Sequence, residues 1–256
     1  MINAAIVGLG WWGRSLVEAV QGKSERIRFV HGVTKEPETV RDMAAAHDLR
    51  ISTELDDVLR DPSVDAVVLA TPHSLHVDQI VAAAAAGRPV FCEKPLAMSR
   101  SEAIRAVAAC DRARVPLGVG HNKRFWPSMV ALRQIVESGT LGRLLHIEGT
   151  YTNENSGRFD AASWRNSASE SPAGGMTGPG IHLLDALVGL AGSATAISTQ
   201  LVQQRPEPNA LDTLSVLLRF DGDVSGYLSA IRLSPFYWRV HVFGKDGSVE
   251  ALGATL

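Results

Sequence analysis

Apolar and polar positions repeat in a fixed order through the first 120 residues. Ile2 to Val7 is a short apolar run ended by Gly8, and the chain turns through Gly8-Leu9-Gly10-Trp11-Trp12-Gly13 into a helical period over Arg14 to Val20. The alternation continues with Ile27 to Val33 as strand, Glu38 to His47 as helix, Val64 to Ala70 as strand, and Leu75 to Ala86 as a helix stopped by Gly87. Pro89 to Cys92 predicts another strand. Ser99, with Glu102 three residues on, is a capping box opening a helix to about Arg114, and Leu117 to Val119 predicts the next strand. Strands alternating with helices imply a doubly wound parallel sheet of the Rossmann type over residues 1–120.

Beyond residue 120 the period changes. A helix is predicted over Ser128 to Glu137 and a strand near Leu144 to Glu148, followed by a stretch rich in Asn, Ser and Gly to about Gly175 that is too polar for a core. From Thr195 the apolar residues recur every second position, as in Thr213 to Phe220, Ser225 to Ile231 and Arg239 to Phe243, broken by turns such as Asp221-Gly222-Asp223. Residues 121–256 are therefore expected to form an α+β domain on a largely antiparallel sheet, serving substrate binding and oligomerisation. The overall class is α/β with two domains.

Composition narrows the class of partner. With 45% hydrophobic and 20% charged residues the chain is globular, and 25 Lys+Arg against 27 Asp+Glu provide no field for nucleic acid or an anionic membrane. A small-molecule partner is expected. The absence of a bilayer-length apolar run or a charged leader at the N-terminus predicts a cytoplasmic protein. Cys92 and Cys110 lack ligand spacing and are expected to be reduced and structural, and His31, His47, His121, His146 and His241 show none either, so no metal is assigned.

Gly8, Gly10 and Gly13 form GxGxxG between a strand and a helix, the context of a dinucleotide-binding turn. Gly8 permits the tight turn, Gly10 lets the backbone approach a pyrophosphate, Gly13 allows close packing of helix on strand, and the helix N-terminus offers N–H groups to the phosphate. Trp11 and Trp12 pack against the cofactor or against the first helix. At the end of the second strand, where NAD sites carry an acid, stand Val33-Thr34-Lys35. Thr34 and Lys35 suit a 2′-phosphate and favour NADP over NAD, with a solvated Lys35 and a ribose-binding Glu36 as the alternative.

The segments Ala70-Thr71-Pro72-His73-Ser74-Leu75-His76, Val90-Phe91-Cys92-Glu93-Lys94-Pro95-Leu96, Gly120-His121-Asn122-Lys123-Arg124-Phe125, Gly174-Gly175-Met176 and Gly180-Ile181-His182-Leu183-Leu184-Asp185 together resemble the Gfo/Idh/MocA oxidoreductases. The resemblance runs from residue 2 to about residue 250. It implies an NAD(P)-dependent dehydrogenase or reductase moving a hydride between a nicotinamide and a hydroxyl or carbonyl carbon of a sugar, polyol or related molecule. It further implies that Thr71, Pro72, His76 and Glu93 line the cofactor site, that Lys94 is the active-site lysine, and that the Lys94-Pro95 bond is cis. An ammonium there can transfer a proton to the reacting oxygen or stabilise its charge. His182 takes the place of the family's histidine and suits proton relay. Asp185, three residues on, shares its helix face and is expected to orient or charge-stabilise that imidazole. Arg124, Tyr151, Asn153, Trp164 and Arg165 are expected to bind substrate.

The sequence departs from this family at Gly178, where many members carry an aspartate four residues before the histidine. Asp185 or another residue replaces that carboxylate, or the protein is a catalytically weak cofactor-binding regulator. An enzyme of the same fold acting on an imine or an unsaturated ring is a further alternative. The chain also stops after Val249-Glu250-Ala251-Leu252, earlier than the resemblance implies, and is expected to be shortened. The apolar surface so exposed favours a homodimer or homotetramer through the C-terminal sheet.

Overall fold

The computed structural model describes residues 1–154, 163–167, 169–204 and 212–255. The polar stretch expected to reach Gly175 lies in part, at 155–162 and 168, outside the described residues. The chain divides into two compact units, Met1–Gly120 and His121–Leu256.

Unit 1 carries the strands β1 (Ile2–Val7), β2 (Ile27–Val33), β3 (Arg50–Ser52), β4 (Ala66–Leu69), β5 (Val90–Cys92) and β6 (Leu117–Val119), all parallel, in the order β3-β2-β1-β4-β5-β6. Its helices are α1 (Trp11–Val20), α2 (Arg41–Ala46), α3 (Leu55–Leu59), α4 (His76–Ala85) and α5 (Arg100–Ala113). Successive residues of β1 feed two cores: Ala4 and Ile6 join Leu9, Val17 and Phe29, while Ala5 and Val7 join Val67, Leu69, Ile80 and Ala83. Burial on both faces is why these strands are apolar throughout rather than alternating. Chain order reverses between β1 and β4, the switch point at which such sheets leave a crevice beyond the strand ends.

Local chemistry sets the helix ends. Ser99 Oγ accepts a hydrogen bond from the Glu102 N–H at 3.3 Å and starts α5, and Arg114 in the left-handed region (φ 56°) ends it. The single helix expected over Glu38 to His47 is instead a 3-10 turn, Pro37–Val40, followed by α2. Pro37 opens that turn with φ preset and no N–H to offer, which favours a tight first turn. β3 and α3, three and five residues long, were not predicted, since neither is long enough to display a period.

Unit 2 is built on a second six-stranded sheet. Its elements are α6 (Pro127–Glu137), β7 (Leu144–Thr152), α7 (Ile181–Ala191), β8 (Ala194–Val202), β9 (Thr213–Phe220), β10 (Ser225–Ile231), β11 (Tyr237–Gly244) and β12 (Ser248–Leu252). The order is β12-β11-β7-β10-β9-β8, antiparallel throughout except for the parallel pair β7 and β10. Ile147 and Tyr151, Val216 and Leu218, and Trp238 and Val240 alternate inward against Leu183 and Leu187 of α7 and Met129 and Leu132 of α6. Gly149 sits where a Cβ would come within 2.9 Å of Leu183, so the missing side chain lets α7 lie close on the sheet. The opposite face carries an ion-paired row, Arg239 with Glu148 and Glu250.

Candidate active site

In unit 1 the glycine turn has the form its spacing predicts. Gly8 has φ +94°, and a Cβ on it would meet Ala70 O at 2.7 Å; a Cβ on Gly13 would meet Gly8 O at 1.9 Å. Both positions admit only glycine. Gly10 differs, because a Cβ there would meet nothing within 4 Å. It is exposed and caps the N-terminus of α1, whose first turn carries no acidic side chain. An open glycine at a bare helix N-terminus is a cradle that an anionic diphosphate fits.

Residues at the ends of β4 and β5 border this turn. The Glu93 carboxyl is buried, and burial raises its pKa, while the Trp12 indole N–H, the Lys94 charge and the Lys94 backbone N–H at 3.3 Å pull it back down. Trp12 of the glycine turn thus lies near the Glu93 carboxyl, next to Lys94 in sequence; Trp11 stands in solvent, 65% exposed. Gly120 leaves room for the same carboxyl, since a Cβ there would lie 2.7 Å from Glu93 Oε1. Lys94 is half-buried, and the Lys94-Pro95 peptide is cis. Thr71 Oγ1 donates to Gln79 at 2.6 Å and Pro72 opens the turn into α4.

His76 has a different place from the one its motif suggests. It is fully buried, with Nδ1 2.8 Å from Pro95 O and Nε2 3.1 Å from Thr71 O. The ring bridges the Thr71 and Pro95 loops. At the end of β2, Thr34 Oγ1 accepts from the Glu36 N–H at 3.3 Å, and Lys35 forms an exposed ion pair with Glu54 at 2.9 Å.

In unit 2, α7 follows a wide turn, Met176–Gly180, closed by the Gly180 N–H donating to Gly175 O, five residues back, at 2.8 Å. Pro179 lacks an N–H and breaks the ordinary helical ladder there, so the helix begins one π turn before the predicted start near Gly180. His182, 8% exposed, sits in the first turn of α7. Its ring meets His121 edge-on with centroids 5.9 Å apart at 90°, and Tyr151 at 6.4 Å. A Cβ on Gly178 would meet nothing within 4 Å, so the position has room for the carboxylate it lacks.

Asp185 was expected to serve His182. In the structure both its oxygens accept from the Arg124 guanidinium, at 2.6 and 2.7 Å, and His121 Nδ1 stands 3.9 Å from Oδ2. The three-residue spacing put Asp185 on the correct helix face, but long-range packing chose its partners. The same bond raises the Arg124 pKa and engages the guanidinium expected to bind substrate. Arg124, Asp185, Met129 and Gly189 line a small cavity of about 30 Å³, room for little more than a water. Tyr151 is buried, which raises its phenol pKa against a hydrogen bond to Asn153. Arg165 stacks on Trp164 at 4.1 Å, and burial lowers its pKa. Among the described residues no group of His, Cys, Asp or Glu is placed to hold a metal ion.

Residues 2–121 match the profile of the Gfo/Idh/MocA oxidoreductase family, NAD-binding Rossmann fold, and residues 129–250 match the family's C-terminal domain. The chain belongs to the Gfo/Idh/MocA oxidoreductase family. It is 30% identical to the 2,7-anhydro-N-acetylneuraminate hydratase of Escherichia coli (strain K12) over 98% of this chain and 67% of that protein. Inositol 2-dehydrogenase 2 of Saccharopolyspora erythraea is 29% identical over 87% of this chain and 64% of its own length. The WlbA dehydrogenase of Bordetella pertussis, solved with NADH and UDP-GlcNAcA, superposes with a TM-score of 0.90 at 28% identity, covering 99% of this chain and 79% of that one. The chain spans about half to two-thirds of the length of the curated relatives it matches.

Two residues of this family member escaped the sequence reading. His121 was set aside for want of ligand spacing, yet it stands between Asp185 and His182. Lys123, 9% exposed, lies over Trp126 at 3.7 Å, Tyr151 at 4.8 Å and Trp238 at 5.5 Å. The rings come from three elements far apart in sequence, and no local pattern announces such a cage.

Proposed function

We propose that the protein is an NAD(P)-dependent oxidoreductase acting on a hydroxyl or carbonyl carbon of a sugar, polyol or related small molecule. The observation that carries the reading is the glycine turn, with Gly8 and Gly13 sterically obligatory and Gly10 open. Unit 1 is then the dinucleotide-binding domain and unit 2 the substrate and assembly domain. A bound nicotinamide supplies the hydride acceptor or donor. Lys94 Nζ holds or takes the proton of the reacting oxygen and steadies its developing charge, and His182 offers a second proton-relay group. Tyr151, Asn153, Trp164 and Arg165 supply the aromatic and polar lining that a polyol or sugar requires.

We infer a preference for NADP over NAD. Thr34 and Lys35 occupy the strand end where an acid would repel a 2′-phosphate, and the exposed Lys35–Glu54 pair, worth at most about 1 kcal/mol, is readily exchanged for a phosphate contact. The relatives' chemistry points to inositols and nucleotide-linked sugar acids as first substrates to try, in a cytoplasmic homodimer or homotetramer.

Fluorescence titration with NADPH and NADH tests the reading, followed by turnover on myo-inositol, aldoses and a UDP-linked hexuronate with product detection. NADPH is expected to bind more tightly, and Lys94→Met to leave binding within about threefold while lowering turnover at least about a hundredfold. Failure of both nucleotides to bind folded protein would falsify the proposal. The second reading, a cofactor-binding regulator, is favoured by Gly178, and tight nucleotide binding without turnover on any substrate would select it.

A further inference from the structure

We propose that His121 is a positioning residue that holds a proton beside Asp185 and thereby keeps His182 neutral, ready to accept one. The proposal rests on the reading of His182 as a proton-relay group.

His121 precedes the 3-10 turn Asn122–Phe125, and its ring is directed at the first two turns of α7. On one side Nδ1 lies 3.9 Å from Asp185 Oδ2, within ion-pair range; on the other, its ring meets the His182 ring edge-on at 5.9 Å. Both imidazoles are largely withdrawn from solvent, so their charges are weakly screened. Two imidazolium ions at that separation repel, and the pair takes up its protons one at a time.

The asymmetry decides which ring is charged first. The Asp185 carboxylate lies against His121, and it favours a proton there. Arg124 holds that carboxylate in a two-point ion pair and fixes its position, while offsetting part of its charge. On the other side of His182 stands the Tyr151 phenol, kept neutral because burial raises its pKa, and behind that ring the Lys123 ammonium, which disfavours a second cation. Gly178 brings no carboxylate to the turn before His182. Asp185 on one side and Lys123 on the other therefore direct the first proton to His121 and leave His182 as the acceptor. The charge the turn before His182 lacks reaches it indirectly, through Asp185 and His121.

The test is an NMR pH titration of the full chain labelled at histidine Cε1, without nucleotide, with His121 and His182 assigned from single substitutions. In the wild type both signals should show two inflections, with His121 protonating about one pH unit above His182. In Asp185→Asn the Arg124 cation loses its counter-charge, so the His121 midpoint should fall and the His182 midpoint rise; Asp185→Glu should restore the wild-type order. His121→Asn should leave His182 with a single inflection, shifted upward. Independent one-step curves in the wild type overturn the proposal even if no variant folds, as does a His182 curve unchanged by Asp185→Asn or His121→Asn. NADPH binding measured on the same samples reports separately on the oxidoreductase reading, since a coupled titration with no nucleotide binding would sink only the latter.

Discussion

Three glycines within six residues, Gly8, Gly10 and Gly13, do three different jobs, and only the surroundings of each reveal which. Gly13 lets α1 rest on the turn it came from, with Gly8 O where a side chain would be, whereas Gly10 has open space before it. The two predict opposite phenotypes. Gly13→Ala forces backbone apart and should destabilise unit 1 by about 3 kcal/mol, seen as a lower urea midpoint. Gly10→Ala should leave the midpoint in place but weaken NADPH binding about tenfold, because the methyl occupies the path of the diphosphate. Equal loss of stability in both would show that the turn is only a packing motif. Lys35 and His76 carry a related lesson, as one is an exposed partner of Glu54 and the other a buried brace.

At the scale of elements, the short pieces add polar contacts to the few apolar side chains they bury, such as Val58 of α3 and Ile51 of β3. Asp61, just beyond α3, accepts from the Ser63 N–H and Oγ at 2.9 and 2.7 Å, pairs with His31 of β2 at 3.3 Å and is bound by Arg50 of β3. These bonds, the Ser63 hydroxyl first, hold its carboxyl well below the usual carboxylate range. A depressed folded-state pKa contributes stability above the unfolded value, near pH 4, and that contribution fades as pH falls toward the folded one. Asp61→Asn should therefore cost about 2 kcal/mol at pH 7, from hydrogen bonds made to a charged acceptor. The gap between variant and wild type should narrow in urea melts below about pH 4. A constant gap down to pH 2.5 would assign the effect to shape, not charge. The start of α7 is set differently, by a π turn over Met176–Gly180 that contains Pro179 and leads into the helical turn carrying His182.

For the whole molecule, each unit has its own core, and the sheet of unit 2 has one face under α6 and α7. Across its other face the strand register aligns Leu217, Tyr227, Glu148, His241 and Glu250 in one row. Arg239 bridges Glu148 and Glu250, and Leu217 is 61% exposed. A face mixing an exposed leucine with fixed charges suits a second copy of the chain. Light scattering at about 10 μM should find a dimer or tetramer, and Leu217→Asp should shift it toward monomer without altering the circular dichroism spectrum. A monomeric wild type at that concentration would remove the assembly role.

What the sequence alone determined is whatever a local period or a fixed spacing encodes. The apolar runs of β1 and β2, the Ser99 cap, the two-residue alternation of β9 to β11 and the GxGxxG turn are legible because burial on one face or a forbidden Cβ constrains neighbouring residues directly. β3 and α3 were illegible because they are shorter than the periods that would identify them. Tertiary structure alone decided that Asp185 faces Arg124 and His121 across 61 and 64 positions of chain, that His76 bridges two loops, and that three rings converge on Lys123. Such pairings are set by how helices and sheet pack, and a side chain's type records that it can bond without recording with whom.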